Sequence, residues 1–406
     1  MMPSVNVALR PAVLEHEIAQ PVGVRRVEIA RVEVFHDFAS AAPAWDRLTA
    51  RGTSTTPFCR RDWIEAWHRH VGEPNGLRPL ICFAHDERDE PLFLLPLAYR
   101  PGRMFSVARY FGGAHAQLNM GVWRRDVATA VTAQDINSVF ATIADRHGID
   151  LFLLLNQPAS WEGRRNPLAQ IAHQASPDEV FSVDFRGETG EQVLKTRLKP
   201  ALRGVLKSKE KKLARLDGYR YFRAATVAEA DRLLAAFLAQ KAGHFKSQGV
   251  ANVFAEPGVA GFLRAACLDG LASGNPAIEL HAIEGGGEVL AVMGGTAGPQ
   301  RFSAMFNSYT LSEHARWSPG LILIAHMVRH CADRGLESYD LGAGYAAYKR
   351  FFCKTVDPLF DSFLSFSERG HAVAAAYRCG FGAKRWIKAS APLWAIVRAA
   401  RRIGIR

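Results

Sequence analysis

The sequence predicts a mixed α/β fold made of two successive copies of one unit. Three observations predict it: apolar segments recur in the same order, a helical stripe falls at the same place in each recurrence, and a basic stretch bearing leucines separates the two. The chain has 406 residues, 48% hydrophobic and 22% charged. Such a composition is globular and long enough for two or three domains.

In the first copy, Leu80–Ala84 reads as a strand, Asp86–Glu90 as a turn, and Leu92–Tyr99 and Phe105–Phe111 as two more strands. Ile136, Val139, Phe140 and Ile143 then mark a helix that Gly148 stops, and Ile149–Leu155 is a continuous apolar strand. The second copy repeats this with strands at Ile278–Ile283, Val289–Gly294 and Phe302–Tyr309. A helical stripe follows (Leu321, Ile324, Ala325, Val328, Cys331), and a last strand runs over Leu336–Leu341. Helical patterns around Trp63–His70 and Ala260–Leu271 precede the two meanders. Each last strand is reached through a helix, so it should run parallel to its neighbour. The expected division is a loosely ordered start (1–30), an N-terminal unit (31–185), a helical arm with a C-terminal unit (186–367) and a basic amphipathic tail (368–406).

The formal net charge of +12 is unevenly placed. From Lys195 to Arg215 nine Lys or Arg face one acid, Glu210, and after Glu368 there are nine more and no acid. The rest of the chain is mildly acidic. An anionic partner follows: a phosphorylated cofactor, a nucleic acid or an anionic lipid surface. The arm has leucines at 198, 202, 206, 213 and 216, with Pro200 near its start, and a second helix spans Thr226–Gln240. Six scattered cysteines without a C-x-x-C pair read as buried, reduced thiols and not as a disulfide frame or zinc site. Metal-ligand spacing, a P-loop, a nucleophile elbow and a Cys/His pair are absent, which argues against metal or covalent catalysis. No apolar run approaches the ~18 residues of a membrane span, and 1–30 lacks a signal-peptide core.

Two runs carry candidate chemistry. In Glu313–Gly320, Ser318 is a candidate N-cap, Pro319 suits the first helical position, and Gly320 leaves room beside free backbone N–H groups and Arg316. A phosphate or pyrophosphate site is expected there. In the second run, Tyr339–Phe352, Asp340 sits in a strand expected to be buried. It must be hydrogen-bonded, paired with Lys349 or Arg350, or used as a base. Gly342 and Gly344 allow a tight turn, and Tyr345 and Tyr348 are candidate acids or packing aromatics. The matching strand of the first copy has no carboxylate, so the second copy is the expected working site. His244, after the arm, is a further acid–base candidate.

The order of elements, Ser-Pro-Gly at the helix start and the Asp-x-Gly-x-Gly-x3-Tyr-Lys run resemble the BioF2-like acetyltransferase domain of the GNAT superfamily, found in cellulose-biosynthesis proteins of the CelD type. More distantly, the arm is similar to that of the FemABX transferases, which pair two GNAT copies. The resemblance runs from about Phe35 to Phe366. It implies two tandem GNAT-like domains, an acetyl-CoA or other acyl-CoA donor, no metal, and transfer to an amine, sugar or lipid-linked acceptor. On it, Asp340, Tyr345, Tyr348 and His244 would be catalytic, and Arg316, Ser318, Pro319, Gly320 and Lys349 would bind the cofactor. The usual pyrophosphate loop, Arg/Gln-x-x-Gly-x-Gly/Ala, is missing, which keeps a carrier-protein or aminoacyl-tRNA donor open, as it does a non-catalytic adaptor. No DNA partner is expected. The tail interleaves Trp386 and Trp394 with basic residues, which suits either an anionic membrane surface or docking on the body. A cytoplasmic protein, peripheral at the inner membrane face, is the corresponding location.

Overall fold

The computed structural model describes residues 27–102 and 105–390. Most of the expected loosely ordered start, and the tail beyond 390, lie outside the described residues.

One sheet of fourteen strands runs through the molecule. Twelve form a continuous path: Arg31–Phe35, Arg78–His85, Pro91–Arg100, Val107–Tyr110, Leu151–Pro158, Thr355–Ser365, Gln174–Asp184, Ser338–Ala343, Arg301–Tyr309, Glu288–Ala297, Glu279–Gly285 and Arg220–Arg223. The two expected meanders are both present, and each closes through a helix, Ala133–His147 or Pro319–Asp333, onto a parallel strand. Every other pairing on the path is antiparallel.

The helix boundaries follow local chemistry. Thr132 and Asp135 form a capping box at the start of Ala133–His147, and Gly148 ends it in the left-handed region at φ 61°. Thr226 and Glu229 cap the long helix Val227–Gln248 in the same way. Pro200 is the first residue of the arm helix Pro200–Leu213, where its missing N–H costs no bond.

The middle of the sheet departs from a simple tandem. After Leu151–Pro158, the chain crosses into the second half, where Gln174–Asp184 pairs with Ser338–Ala343. In return, Thr355–Ser365 crosses back to pair with Leu151–Pro158. These two exchanged strands also pair with each other, so the halves share one sheet. The helices that precede the meanders, Arg61–Trp67 and Val259–Leu268, meet where Trp63 stands edge-on to Phe262 at 5.1 Å. Burying two such aromatic side chains contributes about 2–3 kcal/mol each by area alone.

The C-terminal helix Glu368–Ala389 docks Val373, Ala374, Tyr377 and Phe381 onto Val107, Leu151, Leu153 and Phe363. Docking on the body is thus what this part of the tail does, while Trp386 stays 67% exposed. Cys379, expected to be buried, is exposed on this helix, whereas the other five cysteines are buried and unpaired. No helix among the described residues is long and apolar enough to cross a membrane.

Candidate active site

The parallel strands Arg301–Tyr309 and Ser338–Ala343 pair only from Arg301↔Ser338 to Ser303↔Asp340. Beyond that point each follows its outer neighbour. Asn307, Ser308 and Tyr309 pair with Met293, Val292 and Ala291 on one side, and Ala343 pairs with Val180 on the other. A bulge between Gly294 and Gly295 marks where the first strand bends away. The result is a cleft between two splayed parallel strands. Thr310 N–H bonds Leu290 O on the outer side, so by strand alternation the Asn307 and Tyr309 N–H groups face the cleft.

Helix Pro319–Asp333 begins at the mouth of this cleft. Ser318 does not act as the expected N-cap. It sits in the left-handed region (φ 55°, ψ 50°) and its side chain makes no capping bond. Instead its Oγ accepts from Lys209 Nζ at 2.8 Å. The Leu321 and Ile322 N–H groups turn back to Ser318 O, and no hydrogen bond within the described residues is found for the Gly320 N–H. An added Cβ at Gly320 would come into ordinary contact with the Tyr309 side chain, at 3.4–3.8 Å, so this position has room for a methyl group. Lys212 lies over the Trp317 ring at 5.3 Å. The basic arm therefore delivers two ammonium groups to the helix start, where the dipole already favours an anion. Arg316 is more peripheral, 62% exposed and paired with Glu313 at 3.2 Å.

At the apex of the splay, Asp340 is fully buried. Ser303 Oγ donates to one of its oxygens at 2.6 Å and the Gly342 N–H to the other at 3.0 Å. Of the three fates open to this carboxyl, hydrogen bonding is the one realised. Burial raises it to about 6, against the pull of Arg301, Ser303 and Gly342. Lys349 is 5% exposed, and its ammonium donates to the Gly342, Ala343 and Gly344 carbonyls at 2.8, 3.1 and 2.9 Å. It clamps the turn and is committed to those carbonyls instead of standing free for a phosphate. Burial lowers its pKa to about 8.

The cleft walls carry other candidates. Asn307 Nδ2 donates to Tyr348 Oη at 3.1 Å. Burial raises the Tyr348 phenol, opposed by this bond. His244, on the helix Val227–Gln248, lies with its ring 4.4 Å from that of Tyr309. Its Nε2 is buried without a partner, and burial lowers its pKa. One turn earlier, Gln240 accepts from Ser308 Oγ at 2.6 Å and donates to Val289 O at 2.7 Å, fixing this helix against the strand. Tyr345 is 58% exposed, with Arg350 over its ring at 5.3 Å.

The structure thus gathers Gly320, Ser318, Pro319, Tyr348 and His244 around one cleft, with Asp340 and Lys349 beneath it and Arg316 and Tyr345 at the surface. Lys209, Gln117 and the side chain of Asn307 were missed in the sequence. Lys209 was visible as charge, but nothing in the spacing singled it out from its eight basic neighbours. Gln117 lies in the first copy and reaches the site only through the shared sheet. Its Nε2 donates to Met305 O at 2.8 Å and its Oε1 accepts from Ala343 N at 2.6 Å.

Among the described residues, the corresponding cleft of the first copy is filled. Beyond Leu153 the edge of its last strand is taken by Asn119, whose N–H bonds Asn156 O and whose Nδ2 bonds Leu155 O, both at 3.0 Å. Elsewhere, Glu279, His281 and His330 bring ligand-type atoms within 4.8 Å of one another. Arg334, however, lies at 2.8 and 3.0 Å from the Glu279 oxygens, and Arg223 at 3.6 Å. Two guanidinium groups already neutralise that carboxylate and oppose a cation there.

Residues 201–350 match the family described as the acetyltransferase (GNAT) domain. No curated protein matches the chain. Among solved structures the chain is similar to FemX, with a TM-score of 0.57 at 9% identity over 82% of this chain and 97% of that one. It is also similar to a conserved protein of unknown function from Bacteroides thetaiotaomicron VPI-5482, with a TM-score of 0.51 at 12% identity over 82% of this chain and all of that one. The chain is accordingly a mixed α/β protein of two repeated units joined by a helical arm, and its match to the acetyltransferase (GNAT) domain takes in the arm helix and most of the second unit.

Proposed function

We propose that this protein transfers an acyl group from an acyl-CoA thioester to an amine or hydroxyl acceptor in the cleft of its second unit. The observation that carries this reading is the splay beyond Ser303 and Asp340, with an open helix N-terminus and Lys209 at its mouth. A pyrophosphate seated at Gly320 and Lys209 would send the donor's pantetheine arm between the splayed strands. The cleft-facing N–H groups of Asn307 and Tyr309 are placed to bond it.

The reaction asks little of the side chains. The acceptor's lone pair adds to the thioester carbon, the carbonyl electron pair moves to oxygen, and its return expels the thiolate. The acceptor loses a proton and the thiolate gains one, so an amide or ester and a thiol result. His244, with an unpartnered Nε2 and a lowered pKa, suits the proton-accepting role. Tyr348 receives its hydrogen bond from Asn307 and keeps its own proton to donate to the thiolate. Asp340 holds the apex. An acceptor on an envelope polysaccharide or lipid-linked sugar is supported by the resemblance to CelD-type proteins alone.

A second reading has a donor bound to a carrier protein or tRNA, and one observation favours it. Among the described residues, no Lys or Arg between Lys195 and Arg215 is in a salt bridge, and Lys199, Lys207, Lys211 and Arg215 are exposed. Calorimetric titration with CoA and acetyl-CoA separates the two readings. Binding that weakens in Lys209→Ala supports the first. No binding of either compound rejects acyl-CoA and leaves the carrier-bound donor.

A further inference from the structure

Gln117 bridges the two splayed strands at the inner end of the cleft, although it belongs to the other unit. Its carboxamide spans Met305 O and Ala343 N as a peptide group would. The second unit is shaped to receive it. Gly342 has φ 80°, and a Cβ there would lie 2.1 Å from Gln117 Oε1 and 2.9 Å from Ala304 O. A side chain at 342 would therefore expel the amide.

A carboxamide nitrogen carries two hydrogens and its oxygen two lone pairs. Gln117 uses one hydrogen on Met305 and one lone pair on Ala343. The residue is only partly buried, and nothing in the described structure takes the second hydrogen. We infer that Gln117 is a donor-positioning residue: its remaining N–H holds the thioester carbonyl oxygen at the floor of the cleft, so the active site of the second unit is completed by the first. The assignment rests on the acyl-CoA reading and deepens it. It also explains why the loop that fills the first unit's own cleft with Asn119 places Gln117 two residues earlier in the neighbouring one. When the carbonyl pair moves to oxygen, the same N–H faces the negative charge, where such a bond strengthens.

The test uses acetyl-CoA and S-ethyl-CoA, a thioether lacking only the carbonyl oxygen, with the full chain. The unaltered protein should bind acetyl-CoA about five- to tenfold more tightly than S-ethyl-CoA, the preference expected of one buried hydrogen bond. Gln117→Glu keeps the acceptor for Ala343 but has no N–H, and Gln117→Met keeps the length with neither group. Both should bind CoA as the unaltered protein does and lose the preference between the two thio-compounds. Thermal unfolding of each variant identifies any that fail to fold, and the other then decides. A preference that persists in a folded variant overturns the role of Gln117 and leaves the donor reading intact. If the unaltered protein binds no CoA compound at all, both fall together.

Discussion

Asp340 and Leu153 occupy the same register position in the two units. Each is the last residue of its strand to pair with a parallel neighbour, Ser303 in one case and Arg109 in the other. Leu153 meets apolar side chains of the C-terminal helix and Phe363, whereas Asp340 is tied to Ser303 and to the Gly342 N–H. One duplication has therefore diverged into a packed seam and a pinned cleft. A buried carboxyl with both oxygens bonded fixes the geometry of the turn at Gly342, which an apolar side chain has no means to do.

That pinning has a measurable cost. Burial raises the Asp340 carboxyl to about 6 from an ordinary 3.8. The folded state then holds the proton more tightly than the unfolded chain. The stability this gives is complete below pH 3.8 and is lost as pH rises through 6. Asp340→Asn keeps the Gly342 bond and turns its amide toward Ser303. It should be roughly 1–3 kcal/mol more stable than the parent at pH 8 and equal to it at pH 4. Urea midpoints at the two pH values check this, and an identical difference at both contradicts it.

The two meanders, their closing helices and the parallel last strands were legible because burial on both faces leaves continuous apolar strands, and glycines mark the stops. The exchanged strands Gln174–Asp184 and Thr355–Ser365 were not. Each mixes buried and half-exposed residues with Pro and Asp, and their pairing is set by a partner more than 150 residues away in the chain. Ser318 misled for a local reason: the Ser-Pro-Gly pattern is that of a capped start, but the 3-10 turn Glu313–Trp317 delivers Ser318 in a left-handed conformation. Its hydroxyl then accepts a hydrogen bond from Lys209 on the arm.

Lys209 should therefore govern donor affinity. Its ammonium touches only Ser318 Oγ among the described groups, so removing it leaves no buried partner stranded. Lys209→Ala should weaken acyl-CoA binding about tenfold, a loss that shrinks as salt is raised, with thermal stability unchanged. Lys211→Ala, on the exposed side of the same helix, is the control. Equal losses from both would reduce the effect to general charge.

Gly320 separates folding from binding. An alanine there meets Tyr309 at ordinary contact distance, and replacing glycine in a helix gains up to about 1 kcal/mol. Gly320→Ala should melt at the same temperature as the parent or higher. The same methyl would stand beside the N–H proposed to receive the phosphate, so acyl-CoA affinity should fall at least threefold. Leucine at this position should abolish binding. Retained affinity in both variants places the phosphates elsewhere.

On the proposed mechanism His244 should set the pH dependence. Burial, helped by Lys241, holds its imidazole below the usual 6.5, so the ring is neutral at pH 7 and able to accept a proton. Its contribution to stability is present above pH 6.5 and is lost as pH falls through the lowered folded value. The acid limb of kcat/KM should accordingly lie below pH 6.5. A general base of this kind contributes about 10²–10⁴-fold. His244→Gln should reduce kcat by that order and flatten the limb, while leaving CoA affinity within twofold, because the ring lies against Tyr309 and not against the Lys209 site. A limb that survives in His244→Gln assigns the proton transfer to another group, and the change in kcat then measures only the packing of Tyr309.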